Sequence, residues 1–162
     1  MIRSFKGKKP KIARNAIVDE SAILIGDIVV GDETCIFPGV IIRATGKKIL
    51  IEREVAIMDK AFLEAHDDMT IGQGSIISHG AILHGSSVGK NVLVGIGAIV
   101  LDVCIGNNAI IGSASLVTKD VGDNEVIMGI PGKVVRIATE NDAKRIKEMR
   151  EDAWNKAQEM NK

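Results

Sequence analysis

Aromatic residues are scarce in this sequence, which has no tyrosine, one tryptophan and three phenylalanines among its 162 residues. Single-stranded nucleic acids are bound largely by stacking their bases on aromatic side chains. The net charge is zero, because 21 basic residues balance 21 acidic ones, whereas a nucleic-acid-binding domain carries a basic patch. These two deficits argue against nucleic acid as a partner.

Cysteine is nearly absent, with only Cys35 and Cys104 in the whole sequence. The two lie far apart and form no CxxC pair, which favours reduced, structural thiols over a disulfide or a redox role. The sequence also lacks the run of about 18 apolar residues that a membrane helix needs. Residues 1–15 lack the apolar stretch and cleavage site of a signal peptide. We therefore expect a cytoplasmic protein with no membrane partner.

Aliphatic residues, in contrast, are abundant and regularly placed. Val, Ile or Leu recurs every six residues, except at four places that each follow a multiple of three repeats. A period that closes every three strands predicts a triangular prism, in which each aliphatic residue stacks on its counterpart one coil away. The repeating residues are Ile12, Val18, Leu24, Val30, Ile36, Ile42, Ile51, Ile57, Leu63, Ile71, Ile77, Leu83, Val88, Val94, Val100, Ile105, Ile111 and Val117.

The repeat predicts a mainly β fold, a parallel β-helix of about six to seven coils. Its richness in β-branched residues favours strands over helices. The fourth residue after nearly every repeating aliphatic residue is small or apolar, and we expect it to fill the narrow interior of the prism. Ser87 and Cys104 belong to this second set.

One helix is predicted after the prism, from about residue 140 to residue 160. Thr139 is a favourable N-cap, and Asp142 places an acidic group in the first turn. We expect a prism over residues 1–136 and a helical segment over residues 137–162, packed together as one domain.

The apolar residues of this helix form one narrow stripe that would pack on the prism or on a neighbouring subunit. Trp154 is expected to anchor that contact. The stripe consists of Ala143, Ile146, Met149, Ala153, Ala157 and Met160.

The three histidines, His66, His79 and His84, all lie in the middle coils. In the repeat register, Glu64 and His84 occupy the same outward position on successive coils, about 5 Å apart. His79 falls on the adjacent face, so a neighbouring subunit would be needed to bring it to that pair. His66 lies in the corner loop after Glu64, where it is a third ligand, a proton shuttle or a solvent-exposed side chain.

The repeats resemble those of the hexapeptide-repeat family, whose fold is a left-handed parallel β-helix; the expected handedness follows from this resemblance alone. The run ISHGAILHG at residues 77–85 is similar to the metal motif of the γ-class carbonic anhydrases. In that motif two histidines five residues apart bind zinc or another divalent metal at a trimer interface. The resemblance extends over about residues 12–160 and implies a homotrimer with sites between subunits.

The resemblance assigns roles residue by residue. It makes His79 and His84 metal ligands, with His79 reaching the site from the next subunit. Arg43 and Asp59 match the family's interface arginine and the aspartate beside its active site. Glu64 stands where the family has its first metal histidine.

Two further departures accompany this one, because Met58 replaces an active-site glutamine and Thr45 replaces an aspartate. The implied catalytic residues are Arg43, Asp59 and Glu64. The implied ligands besides His79 and His84 are Glu64 or His66, and the sequence leaves the choice open. The implied cofactor is a divalent metal, zinc first and iron or cobalt next, since two imidazoles and a carboxylate suit such ions.

Three functions follow from these resemblances. The first is a metal-dependent lyase that hydrates carbon dioxide reversibly through metal-bound hydroxide. The second is a coenzyme A-dependent acyltransferase or thioesterase, because such enzymes share the repeat and the run GIPGKVVR resembles theirs; it requires a catalytic histidine, and none lies in the C-terminal coils. The third is a non-catalytic trimeric metal-binding scaffold, favoured by the departures at Thr45, Met58 and Glu64. The first two act on a small-molecule substrate.

Overall fold

In the computed structural model, which describes residues 1–161, the chain winds into a parallel β-helix with three faces. Lys162, the last residue of the predicted segment 137–162, lies outside the described residues. Each strand pairs in parallel with its counterpart one coil away. The β-helix has about seven coils, which agrees with the number expected from the repeat.

The strands group by face. The first face contains β2 (Lys11–Ile12), β9 (Met69–Ile71), β12 (Ser87–Val88) and β15 (Cys104–Ile105). The second contains β3 (Ile17–Val18), β5 (Cys35–Ile36), β7 (Ala56–Ile57), β10 (Ile76–Ile77), β13 (Leu93–Val94), β16 (Ile110–Ile111) and β18 (Glu125–Met128). The third contains β1 (Ile2–Arg3), β8 (Phe62–Glu64), β11 (Ile82–His84), β14 (Ile99–Leu101) and β17 (Leu116–Val117). Two long strands, β4 (Ile23–Val30) and β6 (Ile41–Ile51), run from the third face round a corner to the first.

The repeating aliphatic residues stack in the register that the sequence predicts. On the third face Ile42 pairs with Leu63, Leu63 with Leu83, and Leu83 with Val100. All four side chains are fully buried. The irregular spacings fall at the single corner between the third and first faces, around which β4 and β6 bend.

The prediction for the second set of interior residues is wrong at this corner. Ser87 is only half-buried and Cys104 is exposed, whereas Ser86 and Val103 are buried in their place. The interior residue is the one that lies two places before the next repeating aliphatic residue, because side chains alternate in direction along a strand. Counting four residues forward gives the same position only where the spacing is six.

After the coils, β19 (Lys133–Ile137) folds back antiparallel on β18, and α1 (Glu140–Met160) follows. Thr139 is the N-cap, and its hydroxyl accepts a hydrogen bond from the Asp142 backbone N–H while the Asp142 carboxylate accepts one from the Thr139 N–H. The predicted bounds and cap of this helix are confirmed.

The helix packs on the outer side of the second face along a narrower line than expected. Ile146, Ala153 and Ala157 are buried there, and Trp154 packs against the same cluster. Ala143, Met149 and Met160 of the predicted stripe are exposed in the single chain, so for these residues only packing on a neighbouring subunit stays a prediction. We propose that helix and prism form one domain, since these contacts join them.

Within residues 1–161, no helix is long and apolar enough to cross a membrane.

Candidate functional site

Three polar side chains occupy one position on successive coils of the third face. Arg43 pairs in register with Glu64, and Glu64 with His84. The Arg43 guanidinium lies 2.7 Å from the Glu64 carboxylate, whose side chain is 23% exposed. The Nε2 atom of His84 lies 3.9 Å from the same carboxylate oxygen. The stacking of Glu64 and His84 expected from the repeat is present, with Glu64 turned towards Arg43.

A second cluster lies at the corner that these strands lead into. His66, in the loop after β8, has its Nε2 3.0 Å from Asp102 Oδ1. The Nδ1 of His84 lies 3.7 Å from that oxygen, and the rings of His66 and His84 are 4.8 Å apart between centroids. The nitrogen and oxygen donors of all three residues lie within 4.8 Å of one another. Hereafter His66, His84 and Asp102 are called the corner cluster.

The backbone at Gly85 lets the side chains of the corner cluster approach it closely. Gly85 has a φ of +61°, and a Cβ on it would lie 2.4 Å from Asp102 Oδ1 and 2.4 Å from His66 Cε1. The N–H of Gly85 donates to the Glu64 carbonyl, and that of Asp102 to the His84 carbonyl. Only a glycine leaves room here for an imidazole from below and a carboxylate from above.

His79 lies elsewhere, after β10 on the second face. Its Nδ1 is 2.9 Å from Asp59 Oδ2. A carboxylate beside one ring nitrogen favours a proton on that nitrogen and leaves the other as a lone-pair donor, the arrangement that orients metal-binding histidines. Within the described chain, His79 is not part of the corner cluster.

The donor set of the corner cluster fits a divalent transition metal. Two imidazoles and one carboxylate bind such ions with donor–metal distances of about 2.0–2.2 Å, so bound donors lie roughly 3.3 Å apart. The observed separations of 3.0 Å and 3.7 Å bracket that value. Small side-chain rotations would therefore complete a binding geometry.

Met58 lies outside these clusters and lines a groove between α1 and the second face. The groove has a volume of about 550 Å³ and extends from His79 to Met128. Arg145 and Lys156 also line it. It is therefore a largely apolar cleft with a histidine at one end and both basic and acidic groups in its lining, since Lys156 is paired with Asp152 at 2.6 Å.

Asp102 is the functional candidate that the sequence prediction missed. It is the second residue after Val100, as Gly85 is the second after Leu83, so the repeat places the two on successive coils. Its φ of +54° turns its side chain towards the corner. Extending the register one coil beyond Gly85 gives its position at this corner, whereas the direction of its side chain comes only from the fold.

Comparison with known proteins gives two kinds of relative. A carbonic anhydrase of Geobacillus kaustophilus is 37% identical over 90 residues, which cover 54% of this chain and 50% of that protein. The chain thus spans about half the length of the curated relatives it matches. No family model matches the sequence.

Solved structures match over nearly the whole chain. A Bacillus cereus protein provisionally named an acetyltransferase is 33% identical with a TM-score of 0.83, and the match covers 98% of this chain and 95% of that one. A hexapeptide transferase family protein of Anaplasma phagocytophilum is 27% identical with a TM-score of 0.90, covering 97% and 96%. The chain belongs to the hexapeptide-repeat family of left-handed parallel β-helices.

Proposed function

We propose that this protein is a carbonic anhydrase-like lyase that hydrates carbon dioxide reversibly with a divalent metal bound at His84. The observation that carries the proposal is the convergence of three histidine or carboxylate side chains, Glu64, His66 and Asp102, on His84. A divalent metal bound there would make hydroxide available near neutral pH. Zinc is the first candidate, with iron or cobalt next.

The side chains around His84 have distinct tasks in this proposal. Glu64, fixed by Arg43, accepts the proton of the attacking water, because an oriented carboxylate is an effective general base. Arg43 itself presents a positive charge towards the bicarbonate product. Because Glu64 acts as the base in this proposal, His66 completes the ligand set.

We further propose a homotrimer in which His79, held by Asp59, faces the site from the neighbouring subunit. Apolar side chains line the outside of the third face beside His84, and such a stripe is typical of a subunit interface. Ile82 and Ile99 pair there and are each 37% exposed. The rest of the stripe is Ile23, Ile41, Phe62 and Leu116. A cytoplasmic location also remains a proposal.

Carbon dioxide hydration by the purified protein tests the lyase. Stopped-flow measurement with a pH indicator should detect turnover in the metal-loaded protein, its loss on chelation and its recovery on adding zinc. Glu64→Gln should lower kcat while metal content stays unchanged, because the amide cannot accept the proton. Lys90→Gln, a change at an exposed side chain of another coil, is the control. Turnover unaffected by chelation would contradict the proposal.

Coenzyme A-dependent acyl transfer is the second candidate, favoured by the groove beside α1. His79 would act there as general base towards an acceptor, while Arg145 offers a cation to phosphate groups. Binding of acetyl-coenzyme A, measured by calorimetry and weakened by Arg145→Ala, would support this function. If the protein shows neither carbon dioxide turnover nor coenzyme A binding, the third function, a metal-binding scaffold, is the one left.

A further inference from the structure

We infer that the metal is held by His66, His84 and Asp102 of one chain, so that a single subunit supplies a complete ligand set. The inference relies on the proposed function only for the presence of a metal. It differs from the family arrangement in two respects: Glu64 lies outside the ligand set, and His79 of a neighbouring subunit is not required.

The first argument is the competition for Glu64. Its carboxylate lies 2.7 Å from the Arg43 guanidinium but 3.9 Å from His84. Using Glu64 as a ligand would separate this close ion pair. It would also leave Arg43 without that partner beside a cationic metal.

The second argument is the geometry of the corner cluster itself. Asp102 already lies within 4 Å of both histidines, with separations of 3.0 Å and 3.7 Å. A metal bound through His66 Nε2 takes the place of any proton on that nitrogen, which is released to solvent. The three side chains therefore need no large movement to become ligands.

The third argument is independent of the donors. Gly85 leaves open the space that a Cβ would fill. A Cβ on this residue would lie 2.4 Å from Asp102 Oδ1 and 2.6 Å from His66 Nε2. A side chain of any other residue would separate the two donors. The backbone thus provides the space in which His66 and Asp102 converge, next to the His84 imidazole.

The chemistry of the three ligands limits which metal ions the site would bind. Two imidazoles and one carboxylate with open positions suit Fe²⁺, Co²⁺ and Zn²⁺, whereas Mg²⁺ and Ca²⁺ prefer oxygen ligands. The side chains of His66 and His84 are 51% and 41% exposed to solvent. The remaining coordination positions would therefore be open to water or substrate. The site is therefore of the catalytic, open type.

Titration with Co²⁺ alone, followed by its visible absorption, tests this assignment on the whole protein. His66→Ala and Asp102→Asn should each weaken Co²⁺ binding more than the roughly 10–100-fold that loss of an outer-shell partner costs. Glu64→Gln and His79→Ala should bind Co²⁺ as the unchanged protein does. Gly85→Ala should weaken binding without removing a donor, with circular dichroism to check folding.

The outcomes separate this inference from the proposed function. Loss of Co²⁺ binding in Glu64→Gln and His79→Ala, with His66→Ala and Asp102→Asn unaffected, would overturn the inference and leave an interfacial lyase intact. Binding that depends on His66 and Asp102 without carbon dioxide turnover would uphold the inference and defeat the lyase. No Co²⁺ binding by the unchanged protein would overturn the inference.

Discussion

Replacing Leu83 by alanine should destabilise the protein strongly, because Leu83 is fully buried between Leu63 and Val100. The substitution removes three buried carbons, each contributing about 0.8 kcal/mol of transfer free energy. The neighbouring coils are hydrogen-bonded at fixed spacing and cannot close the cavity, which adds a further cost. We expect a total loss of about 3–5 kcal/mol in the free energy of unfolding.

Urea unfolding measures this loss, followed by circular dichroism for the prism and by the fluorescence of Trp154 for helix packing. Ile137→Ala is the matched control, since it removes as many carbons from a side chain that is 60% exposed. Both variants must be compared at one protein concentration, because subunit association adds to apparent stability. A loss for Leu83→Ala below about 1 kcal/mol, or equal to that of the control, would refute the stacked-column account.

Three smaller predictions concern the thiols and the helix start. Burial raises the pKa of the Cys35 thiol to about 12, against the smaller lowering effects of its backbone hydrogen bond and of Arg150. Only Cys104 should therefore react with a thiol reagent at pH 8, and stability should fall as pH rises from 9 towards 12. Thr139→Ala should cost about 1 kcal/mol by removing the cap, seen as faster hydrogen exchange at the start of α1. The hydrogen bonds from Arg136 and then Thr139 hold the pKa of the Asp142 carboxyl well below its usual range, so the helix start keeps this stabilisation above about pH 4. Its protection factor against hydrogen exchange, corrected for the intrinsic rate, should fall on acidification below that pH.

The architecture of the prism could be read from the sequence because the repeat is strict. A residue such as Leu83 is both aliphatic and spaced by the coil, so its column and neighbours follow from counting alone. The interior positions at the irregular corner were predicted less well. Cys104 was assigned to the interior because the forward count ignores that the following strand fixes which side chains point inward.

The candidate site was only partly predictable, for a different reason. The positions of Glu64 and His84 follow from strand register, which the repeat specifies. His66 and Asp102 lie in corner turns, where the direction of a side chain depends on backbone dihedrals that spacing does not encode. Gly85 is an example, because the room that it leaves for His66 and Asp102 is visible only in the folded chain.

Metal content tests the central claim most directly. Elemental mass spectrometry on protein purified without chelator should find about one divalent metal per chain, and the His84→Ala variant purified in parallel should have lost it. His84 belongs to every ligand set considered, so this variant separates specific binding from adventitious binding whichever neighbours complete the site. A metal-free protein, even after refolding with added zinc, or equal metal in both samples, would contradict the account.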